Sequence, residues 1–163
     1  MRQYRGKLIQ TNLAYIAGFL DGDGSLMLQL KKRKDGKSKI RFMATICFYQ
    51  DTRHKKELDW IKSILKIGYS SHRNDGMSEL RINGFTQVKN ILTALKPYIR
   101  FKRLQLNVLL NAVNILEAKS ITKLTELDLK SLVECMIQIQ EANYVTKRKR
   151  TKSELYEVLG LTL

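Results

Sequence analysis

The sequence predicts an α+β fold: an antiparallel sheet with helices on one face, in the order α-β-β-α-β-β-α, followed by accessory helices. Three observations point there. Apolar residues recur at i, i+3, i+4 and i+7 in separate segments, the period of helices packed along one side. Between them, stretches alternate apolar and polar residues with a period of two, the mark of half-buried strands. These stretches come in pairs joined by the turn signals "KDGK" (34–37) and "NDG" (74–76), so each pair reads as a hairpin.

The first helix is expected over 11–21, capped by Thr11 or Asn12, with Leu13, Ile16, Ala17 and Leu20 on its apolar face. Ala14 and Gly18, four apart, make a second face of small residues that lets another backbone come close. Along a strand at 25–33, Leu26, Leu28 and Leu30 point one way; Ser25, Met27, Gln29, Lys31 and Arg33 point the other. Along 38–50, Ile40, Phe42, Ala44, Ile46 and Phe48 share a face opposite Lys39, Arg41, Met43, Thr45, Cys47 and Tyr49. A helix at 52–66 follows on Leu58, Ile61 and Leu65, and Gly68 ends it.

The second hairpin pairs "YSSHR" with "MSELRI": Ser71 and Arg73 belong to its first strand, Leu80 and Ile82 face in, and Glu79 and Arg81 face out. A helix at 86–96 uses Val88, Ile91, Leu92 and Leu95 and stops before Pro97. Helical patterns follow at 103–117 and 126–141, then the basic run "TKRKRTK" (146–152) and a short helix, "SELYEVLG". Nothing in the first half repeats in the second. The expectation is one domain over 1–163, with a core at about 10–142 and a basic C-terminal segment over 143–163.

The chain of 163 residues carries 30 Lys and Arg against 15 Asp and Glu, a net charge of +15 with a pI near 9.9. Such a field attracts polyanions, nucleic acid first among them; a generally basic, solvated surface is the plainer alternative. No apolar run approaches the 18 residues or so of a membrane span. The first ten residues lack the apolar core of a signal peptide, and a motif helix starting by about residue 12 leaves no room for an organellar presequence. Cys47 and Cys135 lack metal-ligand spacing, which argues against a zinc site or a disulfide framework and for a reducing compartment.

With helices on one side, the other face of the sheet is free. It carries Gln29, Lys31, Arg33, Lys39, Arg41, Arg73, Glu79 and Arg81. Arg and Lys can bond guanine edges, Gln adenine and Glu cytosine, and a two-stranded ribbon fits the major groove. Lys147, Arg148, Lys149, Arg150 and Lys152 supply charge suited to phosphates.

One stretch is acidic where physics disfavours acid. In "GFLDGDGS" (18–25), Asp21 and Asp23 fall at the C-terminus of the first helix, the negative end of its dipole. A hard divalent cation resolves the conflict, because it binds carboxylates and the orphan carbonyls of a helix end. An EF-hand loop does not fit: counted from Asp21, the sixth position is Leu26 rather than Gly and the twelfth is Lys32 rather than Glu.

Together with its helix, "YIAGFLDGDGS" (15–25) resembles the LAGLIDADG motif of homing endonucleases. "YQDT" (49–52), "LKPYIRFKRLQLN" (95–107) and the basic "TKRKRTKSELYEVL" (146–159) are similar to the single-motif branch encoded in group I introns. The resemblance implies αββαββα subunits with a saddle-shaped sheet, packed motif helix against motif helix as a homodimer. Leu13, Ala14, Ala17, Gly18 and Asp21 then lie at the dimer interface, and the outward strand residues contact bases in a long, pseudo-palindromic double-stranded DNA.

The activity it implies is Mg²⁺-dependent double-strand cleavage leaving 3′ overhangs, for intron homing inside a chloroplast or mitochondrion, with Mn²⁺ or Ca²⁺ able to substitute in binding. Asp23 matches the metal-binding acid, Gly22 the carbonyl that helps hold the metal, and Asp21 a more structural acid. Gln50 matches a residue that positions solvent, and Lys102 a basic residue beside the metal-bound water. His54 stands where the family often has another basic residue, a role open also to Arg53 or Lys55. Two other readings share the scaffold: an RNA maturase that aids splicing, and a DNA-binding regulator that does not cut. Neither membrane nor small-molecule substrate is expected.

Overall fold

The computed structural model describes residues 2–32, 40–144 and 148–162; Arg33, Lys39 and Lys147 of the DNA-contact candidates lie outside them. Helix α1 (Arg2–Asp23) runs directly into strand β1 (Gly24–Lys32), which pairs with β2 (Ile40–Asp51). A 3-10 turn (Thr52–His54) opens α2 (Lys55–Leu65), followed by β3 (Tyr69–His72), β4 (Met77–Asn83) and α3 (Phe85–Leu95). Helices α4 (Arg103–Ala118), α5 (Glu126–Ala142) and α6 (Lys152–Leu159) complete the chain. The four strands form one antiparallel sheet in the order β1-β2-β4-β3, as the α+β pattern of the sequence requires.

The core lies between the sheet and the helices. Leu26, Leu28, Phe42, Ala44, Ile46, Phe48, Leu80 and Ile82 bury one face of the strands against Ile16, Leu20, Leu58, Ile61, Val88 and Leu92. Removing one such Leu or Ile to Ala costs about 2–5 kcal/mol. Leu155 and Tyr156 of α6 belong to the same cluster, so the basic C-terminal segment ends in a helix docked on the body. Helices α5 and α6 both start on a capping box, Thr125 with Asp128 and Thr151 with Glu154.

Three local expectations are corrected. Helix α1 starts at Arg2, not near residue 11, so Thr11 and Asn12 are interior positions rather than the start of the helix. The added turns are mostly Arg, Lys, Gln and Leu, good helix formers without an apolar stripe to announce them. The segment after β2 begins as a 3-10 turn capped by Asp51, whose carboxylate accepts from the Arg53 N–H. Finally, α2 ends at Lys66, which itself takes the left-handed conformation (φ 56°), before Gly68 is reached.

Candidate active site and nucleic-acid interface

The passage from α1 into β1 leaves no room for a side chain at Gly24. A Cβ there meets Leu20 Cδ1 at 2.5 Å and the Leu20 carbonyl at 2.8 Å. The glycine therefore fixes where the acids of α1 end up.

Asp21 turns inward. Its carboxylate accepts three backbone N–H bonds, from Arg100 (2.6 Å), Phe101 (3.2 Å) and Lys102 (3.0 Å), and the residue is only 7% exposed. The Lys102 ammonium in turn donates to the Asp21 carbonyl at 2.5 Å. The negative end of the α1 dipole thus meets a cation supplied by the chain itself. Burial pushes the Lys102 amine down from its ordinary range, opposed by the charges of Asp21 and Asp23.

Asp23, in contrast, is exposed and makes no hydrogen bond or ion pair among the described residues. Gly22 beside it is exposed, with open space where a Cβ would stand. A helix end leaves its last carbonyls without intrahelical donors. The exposed Asp23 carboxylate beside the exposed Gly22 backbone offers hard oxygen donors of the kind a divalent cation takes. No group of three or more His, Cys, Asp or Glu able to hold a metal ion occurs among the described residues.

The pairing of Gly24 with Phe48 carries Gln50, two residues on, to the sheet end where α1 enters β1. Its Oε1 accepts from the Asp51 N–H at 2.9 Å, which leaves the amide N–H groups to reach outward. Of the basic candidates nearby, Arg53 is clasped by Asp51 through two side-chain bonds (3.0 and 2.9 Å), and Lys55 pairs with Asp59 (3.2 Å). Those Arg53 bonds hold the Asp51 carboxyl down at about 2. His54 is exposed and makes no hydrogen bond or ion pair among the described residues.

The outer sheet face is not the uniformly solvated surface that alternation suggests. Thr45 and Cys47 are buried on it, under their cross-strand neighbours. Thr45 donates to Asn83 (2.7 Å), whose amide donates to the Tyr69 hydroxyl (3.2 Å), and Ser25 and Tyr49 share a bond of 3.1 Å. Burial pushes the Cys47 thiol up to about 11 and the Tyr49 phenol up to about 12. Single-strand alternation could not reveal this network, because it depends on register across strands.

Lys31 and Arg41 are exposed, paired across β1 and β2. Several other candidates are corrected. Gln29 is half-buried, its Oε1 covered and without a partner among the described residues, beside a cavity lined by Met27, Leu30, Met136, Ile139 and Arg148. Arg73 lies in the turn after β3 and pairs with Asp75 (2.7 Å). Glu79 is 7% exposed; it accepts from Arg81 Nε (2.7 Å), Arg81 Nη2 (3.1 Å) and Ser71 Oγ (3.0 Å), so its carboxylate is engaged within the sheet rather than standing free.

In the C-terminal run, Lys152 sits in α6, paired with Glu134 and 5.5 Å above the Tyr156 ring. Arg148, Lys149 and Arg150 are exposed. The Gln140 amide fixes this stretch by bonding both the N–H (3.0 Å) and the carbonyl (3.2 Å) of Arg150.

The expected dimer face divides. Ala17 is wholly buried within the chain, and Asp21 keeps only a small part of its surface. Leu13 and Ala14 are half-buried, while Gly18 and Gly22 are exposed with nothing within 4 Å of an added Cβ. Beside that stripe, which the i+4 spacing of Ala14 and Gly18 had signalled, exposed Tyr15 packs edge-on against Trp60, ring centroids 5.4 Å apart.

A family model described as LAGLIDADG endonuclease matches residues 16–110. The DNA endonuclease I-CvuI of Chlorella vulgaris is 37% identical over 105 residues, 64% of this chain and 65% of that protein. The DNA endonuclease I-CreI of Chlamydomonas reinhardtii is 29% identical over 147 residues, 90% of this chain and 88% of that protein. A crystal structure of I-CvuI with the I-CreI target in 2 mM Mg, its DNA not cleaved, superposes with a TM-score of 0.77 at 30% identity, covering 93% and 94% of the two chains. An archaeal intron-encoded homing endonuclease bound to DNA shares the fold, with a TM-score of 0.76 at 20% identity.

Proposed function

The chain belongs to the LAGLIDADG endonuclease family, and from that premise we propose that it is a site-specific homing endonuclease. It makes metal-dependent double-strand breaks with 3′ overhangs at a long, pseudo-palindromic DNA, as a homodimer. The observation that carries the reading is the divergence of the two motif acids. Asp21 is spent inside the chain, while Asp23 is exposed and unpaired at a helix end beside bare backbone. A scaffold that only bound nucleic acid has no use for such a residue.

Asp23 and the Gly22 carbonyl, one set from each subunit, would hold the divalent cations. When bound, Mg²⁺ supplies an activated water and stabilises the leaving 3′ oxygen. Lys102, pinned by the Asp21 carbonyl, brings a positive charge to the same end of α1 and offsets charge building on the phosphate. Gln50, steadied through the Asp51 N–H, orients solvent with its free amide, and His54 stands as the unpaired basic group at the start of α2. Exposed Gly18 and Gly22 let a second α1 approach closely, which supports the dimer.

The net charge of +15 and the exposed Lys31, Arg41, Arg148, Lys149 and Arg150 support phosphate binding. Two free thiols suit a reducing interior, and chloroplast or mitochondrial action is part of the same proposal. No helix among the described residues is long and apolar enough to cross a membrane.

The test uses a duplex joining the sequences that flank the reading frame's intron. With Mg²⁺ the protein should cut both strands, and Asp23→Asn should bind equally while cutting at least about 100-fold more slowly. Binding without cleavage in either Mg²⁺ or Mn²⁺ rejects the enzyme and leaves the regulator.

A further inference from the structure

Arg81 and Glu79 stand two residues apart on β4, side chains on the same outer face. Their contact is side-on: Nε donates to Glu79 Oε1 and Nη2 to Oε2. That geometry consumes the Nε proton and one Nη2 proton. It leaves Nη1 and the second Nη2 proton, the end-on edge of the guanidinium, without a partner among the described residues. Ser71 from β3 donates to Oε1, and the Cys47 thiol from β2 lies 3.9 Å from Oε2, so both neighbouring strands brace the carboxylate. Glu79 is almost wholly covered, whereas the Arg81 side chain keeps 28% of its surface.

An end-on guanidinium edge is the donor pair that matches O6 and N7 of guanine in the major groove. We propose that Arg81 reads one guanine in each half of the DNA target and that Glu79, itself touching no base, is the positioning residue that aims it. A free arginine samples many rotamers and loses that freedom on binding; a guanidinium already held in a fork loses less. Glu79 also removes the competing side-on edge, so the guanidinium has one way to meet a base pair. The proposal rests on the DNA-binding reading above.

The test selects bound duplexes from a randomised DNA library with the wild-type protein, then with Arg81→Ala, Arg81→Lys, Glu79→Gln and the double variant Glu79→Gln/Arg81→Ala. Thermal melts confirm that each variant is folded. The wild type should enrich guanine at one symmetric pair of positions. Arg81→Ala should reduce that preference by roughly 5- to 150-fold, the worth of one bidentate contact. Arg81→Lys keeps the charge and should lose the same preference. Glu79→Gln should weaken it at those positions alone, and the double variant should match Arg81→Ala.

An Arg81→Ala profile identical to wild type overturns the proposal. So does a cytosine preference that follows Glu79 and ignores Arg81, or additive losses in the double variant. If the wild type enriches no sequence, the DNA-binding reading falls and the proposal falls with it.

Discussion

Lys102 and Asp21 grip each other twice. The Lys102 ammonium donates to the Asp21 carbonyl at 2.5 Å, and the Lys102 backbone N–H donates to the Asp21 carboxylate at 3.0 Å. The segment before α4 is thereby tied to the last turn of α1 by side chain and main chain together, which sets the position of the amine relative to Asp23.

Removing the Asp21 carboxylate strands three N–H groups. Each unmet buried donor costs about 1–3 kcal/mol, with water recovering part at exposed Arg100 and Phe101. Asp21→Ala should therefore lose about 2–4 kcal/mol in urea denaturation, and Asp21→Asn, which keeps one acceptor, roughly half as much. A loss below about 0.5 kcal/mol for Asp21→Ala contradicts the clamp.

Gly18 separates folding from assembly. A Cβ there meets nothing within 4 Å in the chain, and leucine replaces a poor helix former, so each subunit should gain about 0.5–1 kcal/mol. The same side chain blocks a close helix crossing, so Gly18→Leu should sediment as a monomer. A dimer as tight as the wild type's rejects the stripe as the interface.

Burial pushes the Cys47 thiol up to about 11. At pH 8 only about one molecule in 1,000 then carries the reactive thiolate. In a Cys135→Ser background, which removes the other cysteine, Ellman's reagent should leave native protein unlabelled and react fully in denaturant. Prompt labelling of the native state counts against the buried placement.

The Lys119 ammonium and the Thr125 cap hold the Asp128 carboxyl down at about 2, against an ordinary 3.8. Between those values the unfolded chain binds the proton that the folded chain refuses, so stability falls as pH drops from about 4 toward 2. Asp128→Asn should melt lower at neutral pH and lose less of its remaining stability across that window. Parallel pH curves for the two proteins would deny Asp128 this part.

Alternation and turn chemistry were enough to find all four strands and to orient Leu26, Phe42, Ile46, Leu80 and Ile82 toward the helices, because each strand reports its own period. Contacts between strands left no such mark. Glu79 looks like any outward polar residue until Arg81 and Ser71 close over it, and Cys47 is covered only once β4 lies alongside β2. The different settings of Asp21 and Asp23 were anticipated by the family resemblance alone, not by charge or period. Two acids in one string differ only because a segment about 80 residues later offers its N–H groups to the first.

At the margins of the sheet, β3 is four residues long, and Asn143 occupies the Leu26 carbonyl of β1 from beyond α5 at 3.0 Å. A long bare strand would invite a neighbour's backbone to zip onto it. The short β3 and the capped Leu26 carbonyl each remove part of the row of backbone groups on which such pairing would start.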